Sequence, residues 1–333
     1  MLRRLGLLDR FDAEPAAVLA DLHRELGPAG DEERLFALAE LSFLHAERTG
    51  DRAYFLASAV YAYALLFPGT GDRVQLDRSD PRLRLAYDLY NHALAQGLTD
   101  SPEGPSKARR AKDAEVRLEA GARPLPFGSL DLELDPSGLT WGGYPLEHFV
   151  PSTTLEVRGL RNRYRRPGIG TALAASLAPS TAGTPTIGSE RIGPRTKVPI
   201  TAFVRFENPR ASLATGRVHG RLELYAADQA STVTVDGQAQ PLEFDSTAAL
   251  AEQLEQNPLY SLEIAAFLGG GTFERMLPKD RTKDGLFTIH PYQAGKIPVV
   301  LVHGTASSPT RWAELVNELE GDPRIRERYQ IWL

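Results

Sequence analysis

Apolar positions along this chain change their period twice. From Asp31 to Arg48 they recur at helical spacing, with Leu35, Leu38, Leu41 and Leu44 on one face, and Thr49-Gly50-Asp51 follows as a tight turn. Arg52 to Phe67 continues with Leu56, Val60, Tyr61, Ala64 and Leu65, which predicts a second helix. Pro81 to Gln96 predicts a third, carrying Leu85, Leu89, Ala93 and Leu94 and stopped by Gly97. Residues 1–110 are therefore expected to be helical, with Ser101 to Arg110 as a linker rich in proline and glycine.

Beyond the linker the period becomes two. Leu130, Leu132 and Leu134 alternate with Asp131, Glu133 and Asp135, and Pro136-Ser137-Gly138 turns the chain. Leu155 and Val157 flank Glu156 in the same way. Val198 to Phe206, Arg221 to Tyr225 and Thr232 to Val235 continue the series, and Asp236-Gly237 is a hairpin signal. Residues 121–245 read as a β-rich domain. Gly168 to Ser189, uncharged and rich in small residues, is expected to be a long irregular excursion.

From Asp245 the chain returns to helix in a third region, 246–333. Ser246 or Thr247 is placed to cap Ala248 to Gln256, and Pro258 opens a segment to Leu268 that Gly269-Gly270-Gly271 breaks. Leu286 to His290 predicts a short strand. Ile297 to Val302 is an uncharged run rich in β-branched residues, the pattern of a parallel strand buried on both faces. His303-Gly304 turns the chain, Ser308 is placed as an N-cap with Pro309 as the first helical residue, and Trp312, Leu315, Val316 and Leu319 form one stripe. Gly321 ends that helix and Tyr329 to Leu333 begins another strand. The expected fold class is an α+β multidomain chain: helices, a β-rich middle, then the opening of a parallel α/β sheet.

The run Val302-His303-Gly304-Thr305-Ala306-Ser307-Ser308 resembles the loop between strand 3 and helix A of the α/β-hydrolase superfamily, particularly its lipases, esterases and thioesterases. The resemblance implies that the His-Gly pair directs the backbone N–H of Thr305 at a substrate carbonyl oxygen, where a fixed dipole stabilises the oxyanion of acyl transfer. Gly304 would allow close approach of the backbone, and His303 would brace the loop. It also implies that Leu286 to His290 is the antiparallel strand 2. No G-x-S-x-G occurs in the 333 residues, so nucleophile, acid and base are expected beyond Leu333 and the chain alone is expected to lack esterase activity. Helices and a β module before such a sheet are similar to certain bacterial hydrolases with long N-terminal extensions. The competing reading is a protein-binding scaffold with a vestigial α/β piece. Within its helices, the alanines at contacts and aromatics in gaps resemble tetratricopeptide hairpins, though barely one and a half units are present without the full repeat pattern and a plain helical subdomain fits better. Tyr54, Tyr87 and Tyr90 are expected in its core.

Composition adds limits. A net charge of −5 gives nucleic acid no general purchase, and the absence of cysteine excludes disulfides, a thiolate nucleophile and cysteine-bound zinc. The seven histidines show no chelating spacing, so neither metal nor cofactor is expected. Arg158, Arg161, Arg163, Arg165 and Arg166 form a local exception to the acidic balance, suited to anionic lipid headgroups or an acidic partner. The segment Ala53 to Gly71 is uncharged but interrupted by tyrosines and Pro68-Gly69, which disfavours a membrane span, and no targeting segment is evident.

Overall fold

The computed structural model describes residues 6–27, 31–69, 79–100, 115–178, 184, 186, 188–193, 195–255, 286–303 and 309–333. It opens with helices α1 (Leu8–Ala13), α2 (Pro15–Arg24), α3 (Glu32–Thr49), α4 (Arg52–Leu66) and α5 (Pro81–Leu98). Aspartates fix three of the starts. The Asp31 carboxylate accepts from the N–H groups of Glu33 and Arg34, Asp51 from Ala53, and Asp80 from Arg82, each satisfying backbone donors that the first turn leaves open. Gly97, read as a stop, lies inside α5. A Cβ there would come within 2.7 Å of Leu56 Cδ2, so glycine is needed for close packing of α5 on α4. Leu85, assigned to the apolar stripe, is exposed.

Strands follow: β1 (Thr99–Asp100), β2 (Glu115–Val116), β3 (Gly121–Leu125), β4 (Gly128–Leu134), β5 (Thr140–Trp141), β6 (Tyr144–Pro151), β7 (Arg165–Arg166), β8 (Thr171–Leu177) and β9 (Lys197–Phe206). After α6 (Pro209–Thr215) come β10 (Arg217–Ala226), β11 (Thr232–Val235), β12 (Gln238–Pro241), β13 (Phe244–Asp245) and α7 (Ser246–Glu255). The main sheet has nine strands in the order β1-β2-β6-β8-β9-β10-β4-β3, with β5 alongside β6. It is mixed: β10 runs parallel to β4, and its other pairings are antiparallel. Leu130 and Leu132 are buried while Asp131 and Glu133 face outward, as their alternation requires. Asp236 and Gly237 both adopt positive φ, 48° and 76°, in the tight turn that joins β11 to β12.

The fold is thus mixed α+β, and its helices and sheet share a core. One apolar cluster runs from Phe11 to Phe244. Tyr63 of α4 sits 5.2 Å from the ring of Phe206 and 6.2 Å from that of Phe203, both on β9. Tyr90 is fully buried, whereas Tyr54 and Tyr87 pack at the margin of the cluster.

Three expectations for the middle region need correction. Leu155 to Val157 is irregular backbone. Within the expected excursion, Thr171–Leu177 is a strand, β8, at a central position between β6 and β9, and residues 179–183, 185 and 187 lie outside the described residues. Its Ala172, Ala174 and Ala175 are buried, and small side chains let α5 and α7 lie close to that strand. A strand covered on both faces loses the alternation that would reveal it. The cap of α7 is Asp245, which accepts from the N–H of Ala248 at 2.9 Å; Thr247 instead donates to Asn317 Oδ1 at 2.7 Å.

The C-terminal region consists of β14 (Ile297–Val300), α8 (Ala313–Gly321), α9 (Pro323–Arg328) and β15 (Tyr329–Trp332). Pro309 does start a turn, a 3-10 segment to Trp312. The expected stripe is rotated: Ala313, Val316 and Asn317 are buried, while Leu315 is exposed. Leu286 to His290 makes bridges at Thr288 instead of a strand. β14 is not buried, with Ile297 56% and Val300 52% exposed, because among the described residues β15 is its one strand neighbour. Ser101 to Arg110, Pro258 to Leu268, the glycine triplet and Ser308 lie outside the described residues. Among the described residues no helix is long and apolar enough to cross a membrane.

Candidate functional site

β14 and β15 pair in parallel, Ile297 opposite Tyr329 and Val300 opposite Trp332, with α8 and α9 between them in sequence. Leu301 N–H extends the ladder by donating to Trp332 O at 2.8 Å. On the other side of β15, Thr288 forms an antiparallel bridge with Trp332, and Phe287 and Leu333 exchange two backbone hydrogen bonds of 2.8 Å. The three segments therefore lie side by side with β15 in the middle. His303 is exposed just past the carboxyl end of β14, the position where parallel sheets present binding groups. Gly304 and Thr305, the other two residues of the oxyanion-hole reading, lie outside the described residues.

Behind this small sheet is a pair that sequence reading missed. His290 Nε2 lies 3.0 Å from Glu320 Oε2, and both side chains are largely buried, with 20% and 15% exposed. Burial opposes the charged imidazole, but the attraction of Glu320, reinforced by the hydrogen bond and by Asp228, outweighs it and raises the His290 pKa above its ordinary value. Burial likewise opposes the Glu320 carboxylate, and His290, with Arg326 and Lys296, outweighs it and lowers the Glu320 pKa. The pair is an ion pair in mildly acidic solution. His290 and Glu320 stand thirty residues apart in the chain, and nothing in their local pattern joins them. Thr288 places His290 by donating its hydroxyl to the His290 carbonyl at 2.6 Å and by bonding its own N–H to Arg191 O at 2.9 Å. The C-terminal unit is thereby tied to the β-rich region.

The arginine cluster forms the second tie. Arg163 donates from Nε and Nη2 to the buried Asp245, at 2.9 and 2.7 Å, and Arg165 pairs with the buried Glu243 at 2.7 Å. The Arg166 guanidinium lies 4.5 Å over the Phe244 ring. Arg158 pairs with Glu156 at the surface, and Arg161 donates its backbone N–H to Glu314 at 3.2 Å. For Arg163 and Arg165 the acidic partner lies within the chain. The loop between them receives α8: Tyr164 Oη donates to Glu318 at 2.5 Å, Asn162 Nδ2 donates to Glu318 at 2.8 Å, and Asn317 Nδ2 donates to Asn162 O at 2.9 Å. Gly321, read as a helix stop, also lies against the Tyr164 ring, where a Cβ would approach to 2.5 Å. The C-terminal helix is thus seated on Asn162, Tyr164 and the Arg161 backbone, between the arginines.

Chemically, the described residues hold a parallel strand pair with Val302 and His303 exposed just past the end of β14, and a buried acid–imidazole pair beside it. No group of three or more histidine, aspartate or glutamate side chains among them is placed to hold a metal ion. Neither family models, nor curated proteins, nor solved structures give a match to this chain.

Proposed function

We propose that this chain carries the opening of an α/β-hydrolase domain, and that it contributes the oxyanion-hole loop of an enzyme acting on carboxylic esters. The observation that supports this is the direction of three segments: Thr288 antiparallel to β15, and β14 parallel to β15 with α8 and α9 between. An antiparallel strand 2 followed by a parallel strand–helix–strand unit is what the resemblance implies. The loop it implies is the one that leaves β14 through His303.

In that enzyme a serine attacks the ester carbonyl while a histidine removes its proton, and the carbonyl oxygen becomes an oxyanion. The Thr305 N–H and the N–H following the nucleophile would share that charge. Neither donor has to reorganise as the charge develops, which is why such dipoles act more strongly than solvent. His303 braces the loop and is not the base. With no G-x-S-x-G among the 333 residues, the nucleophile of such an enzyme is not one of them.

The test compares two substitutions in the enzyme that carries the nucleophile. Thr305→Ala keeps the backbone N–H and should retain most turnover. Thr305→Pro removes it, and kcat should fall on the order of a hundredfold, with folding verified by circular dichroism. Equal turnover by the two variants would remove Thr305 from the oxyanion hole. Replacing His303 by Asn should lower activity and leave the basic limb of the pH profile in place; loss of that limb would make His303 the base.

A further inference from the structure

Lysine is scarce in this chain: six lysines stand against thirty-two arginines, and two of the six, Lys197 and Lys296, lie among the described residues. The scarcity matters because a guanidinium stays charged, whereas an amine that loses its proton becomes a nucleophile. Lys296 is used for its charge: its Nζ donates to Arg326 O at 2.7 Å and it acts on the buried Glu320 carboxylate. Lys197 has a different setting.

Lys197 opens β9 opposite Ser176 of β8, and Ser176 stands opposite Glu147 of β6. Residues directly opposite share a face of the sheet, so Glu147, Ser176 and Lys197 form one row across three strands. Lys197 Nζ donates to Ser176 Oγ at 2.8 Å, which makes its side-chain partner a neutral hydroxyl. Its backbone N–H is taken by Gln253 Oε1 of α7 at 3.2 Å, and α7 packs on both β8 and β9. Lys197 is half-buried there. Burial lowers its pKa, and Glu252 of α7 and Glu115 of β2, the charged groups acting on it, offset that only in part. More of it is therefore neutral amine at a given pH than of a lysine in open solvent. A hydroxyl both accepts and donates, so Ser176 is placed to carry a proton to or from the nitrogen.

We propose that Lys197 is a nucleophilic amine that condenses with a small uncharged aldehyde to form an imine, Ser176 carrying the proton. The amine lone pair attacks the carbonyl carbon, and one N–H proton passes through Ser176 to the carbonyl oxygen. The carbinolamine then loses its hydroxyl together with the remaining N–H proton as water, leaving the C=N bond. Ser176 forms no bond to carbon in this sequence. The aldehyde is uncharged because the charges acting on Lys197 are carboxylates, which repel an anionic reactant. The site is independent of the hydrolase reading, since every residue in it precedes the C-terminal unit.

Reaction of the chain with propanal and cyanoborohydride, which reduces an imine to a stable secondary amine, tests the proposal. Peptide mass mapping reads the labelling rate at each lysine. In the folded chain Lys197 should be labelled at least about fivefold faster than any other lysine, and the preference should vanish in concentrated urea. Glyoxylate, an anionic aldehyde, should show a smaller preference for Lys197 over Lys296 than propanal does. Ser176→Ala should slow labelling of Lys197 at least about tenfold through loss of the proton carrier, with the rate at Lys296 unchanged. The comparison with urea and with glyoxylate needs no variant, and so serves if Ser176→Ala does not fold. The proposal is overturned if Lys197 reacts no faster than the other lysines, if its preference survives urea or is as large for glyoxylate, or if folded Ser176→Ala is labelled like the parent chain.

Discussion

The hydroxyl of Tyr90 donates to the carbonyl of Val204 at 2.6 Å and accepts from the N–H of the same residue at 2.9 Å. β8 ends where Thr171 pairs with Ala202, so beyond that point β9 has no strand on its β8 side among the described residues. A side chain from α5 takes the place of the missing strand and satisfies both polar groups of Val204, which would otherwise be buried unpaired. Tyr90→Phe should therefore cost about 1–3 kcal/mol, more than the loss of one exposed hydrogen bond, because two buried groups lose their partner. Urea unfolding measures it, and a cost near zero would show that water replaces the hydroxyl. Because the bond joins helices to sheet, the transition should stay single when followed by either helical or aromatic signal.

Asn317 is the polar centre of the contact between α8 and the rest of the chain. It accepts from Thr247 and donates to Asn162 O, and it is 3% exposed. Asn317→Ala should leave both partners unsatisfied and lower the stability of the C-terminal unit by about 1–3 kcal/mol. Hydrogen exchange reads the effect locally. Residues 313–333 should lose protection while α4 and β9 keep theirs; a uniform loss would mean that the unit unfolds with the core.

The His290–Glu320 pair sets a pH dependence whose sign follows from the two shifts. The His290 pKa is raised from 6.5, so its contribution is complete below 6.5 and disappears as pH rises through the higher folded value. The Glu320 pKa is lowered from 4.5, so its contribution is complete above 4.5 and disappears as pH falls through the lower folded value. Both contribute together in mildly acidic solution. Glu320→Gln should thus lower Tm more at about pH 5.5 than at about pH 8.5. Lys296, Arg326 and Asp228, which also act on the pair, are unchanged by that substitution. An equal loss at both pH values would mean that the pair does not ionise as described.

Legibility in the sequence depended on how each element meets solvent. Leu130 and Leu132 were readable because one face of β4 is wet, whereas the Asp31, Asp51 and Asp80 caps were not assigned although a cap is a local interaction. β8 was hidden for the opposite reason: Ala172, Ala174 and Ala175 are buried on both faces, and a run of small residues reads as loop. The arginines were seen as a cluster but not as paired, since Asp245 and Glu243 lie about eighty residues further on. Of the oxyanion-hole residues, His303 is placed at the end of β14, whereas the reading of Gly304 and Thr305 rests on the sequence motif.

The most direct test of the hydrolase reading is covalent labelling by a fluorophosphonate, which reacts with activated serines. The account predicts that the 333-residue chain stays unlabelled and hydrolyses simple activated esters no faster than buffer. It also predicts that the product of the full coding region is labelled at a serine within a G-x-S-x-G beyond Leu333. Labelling of a serine within the 333 residues, or a full product that takes no label, would contradict it.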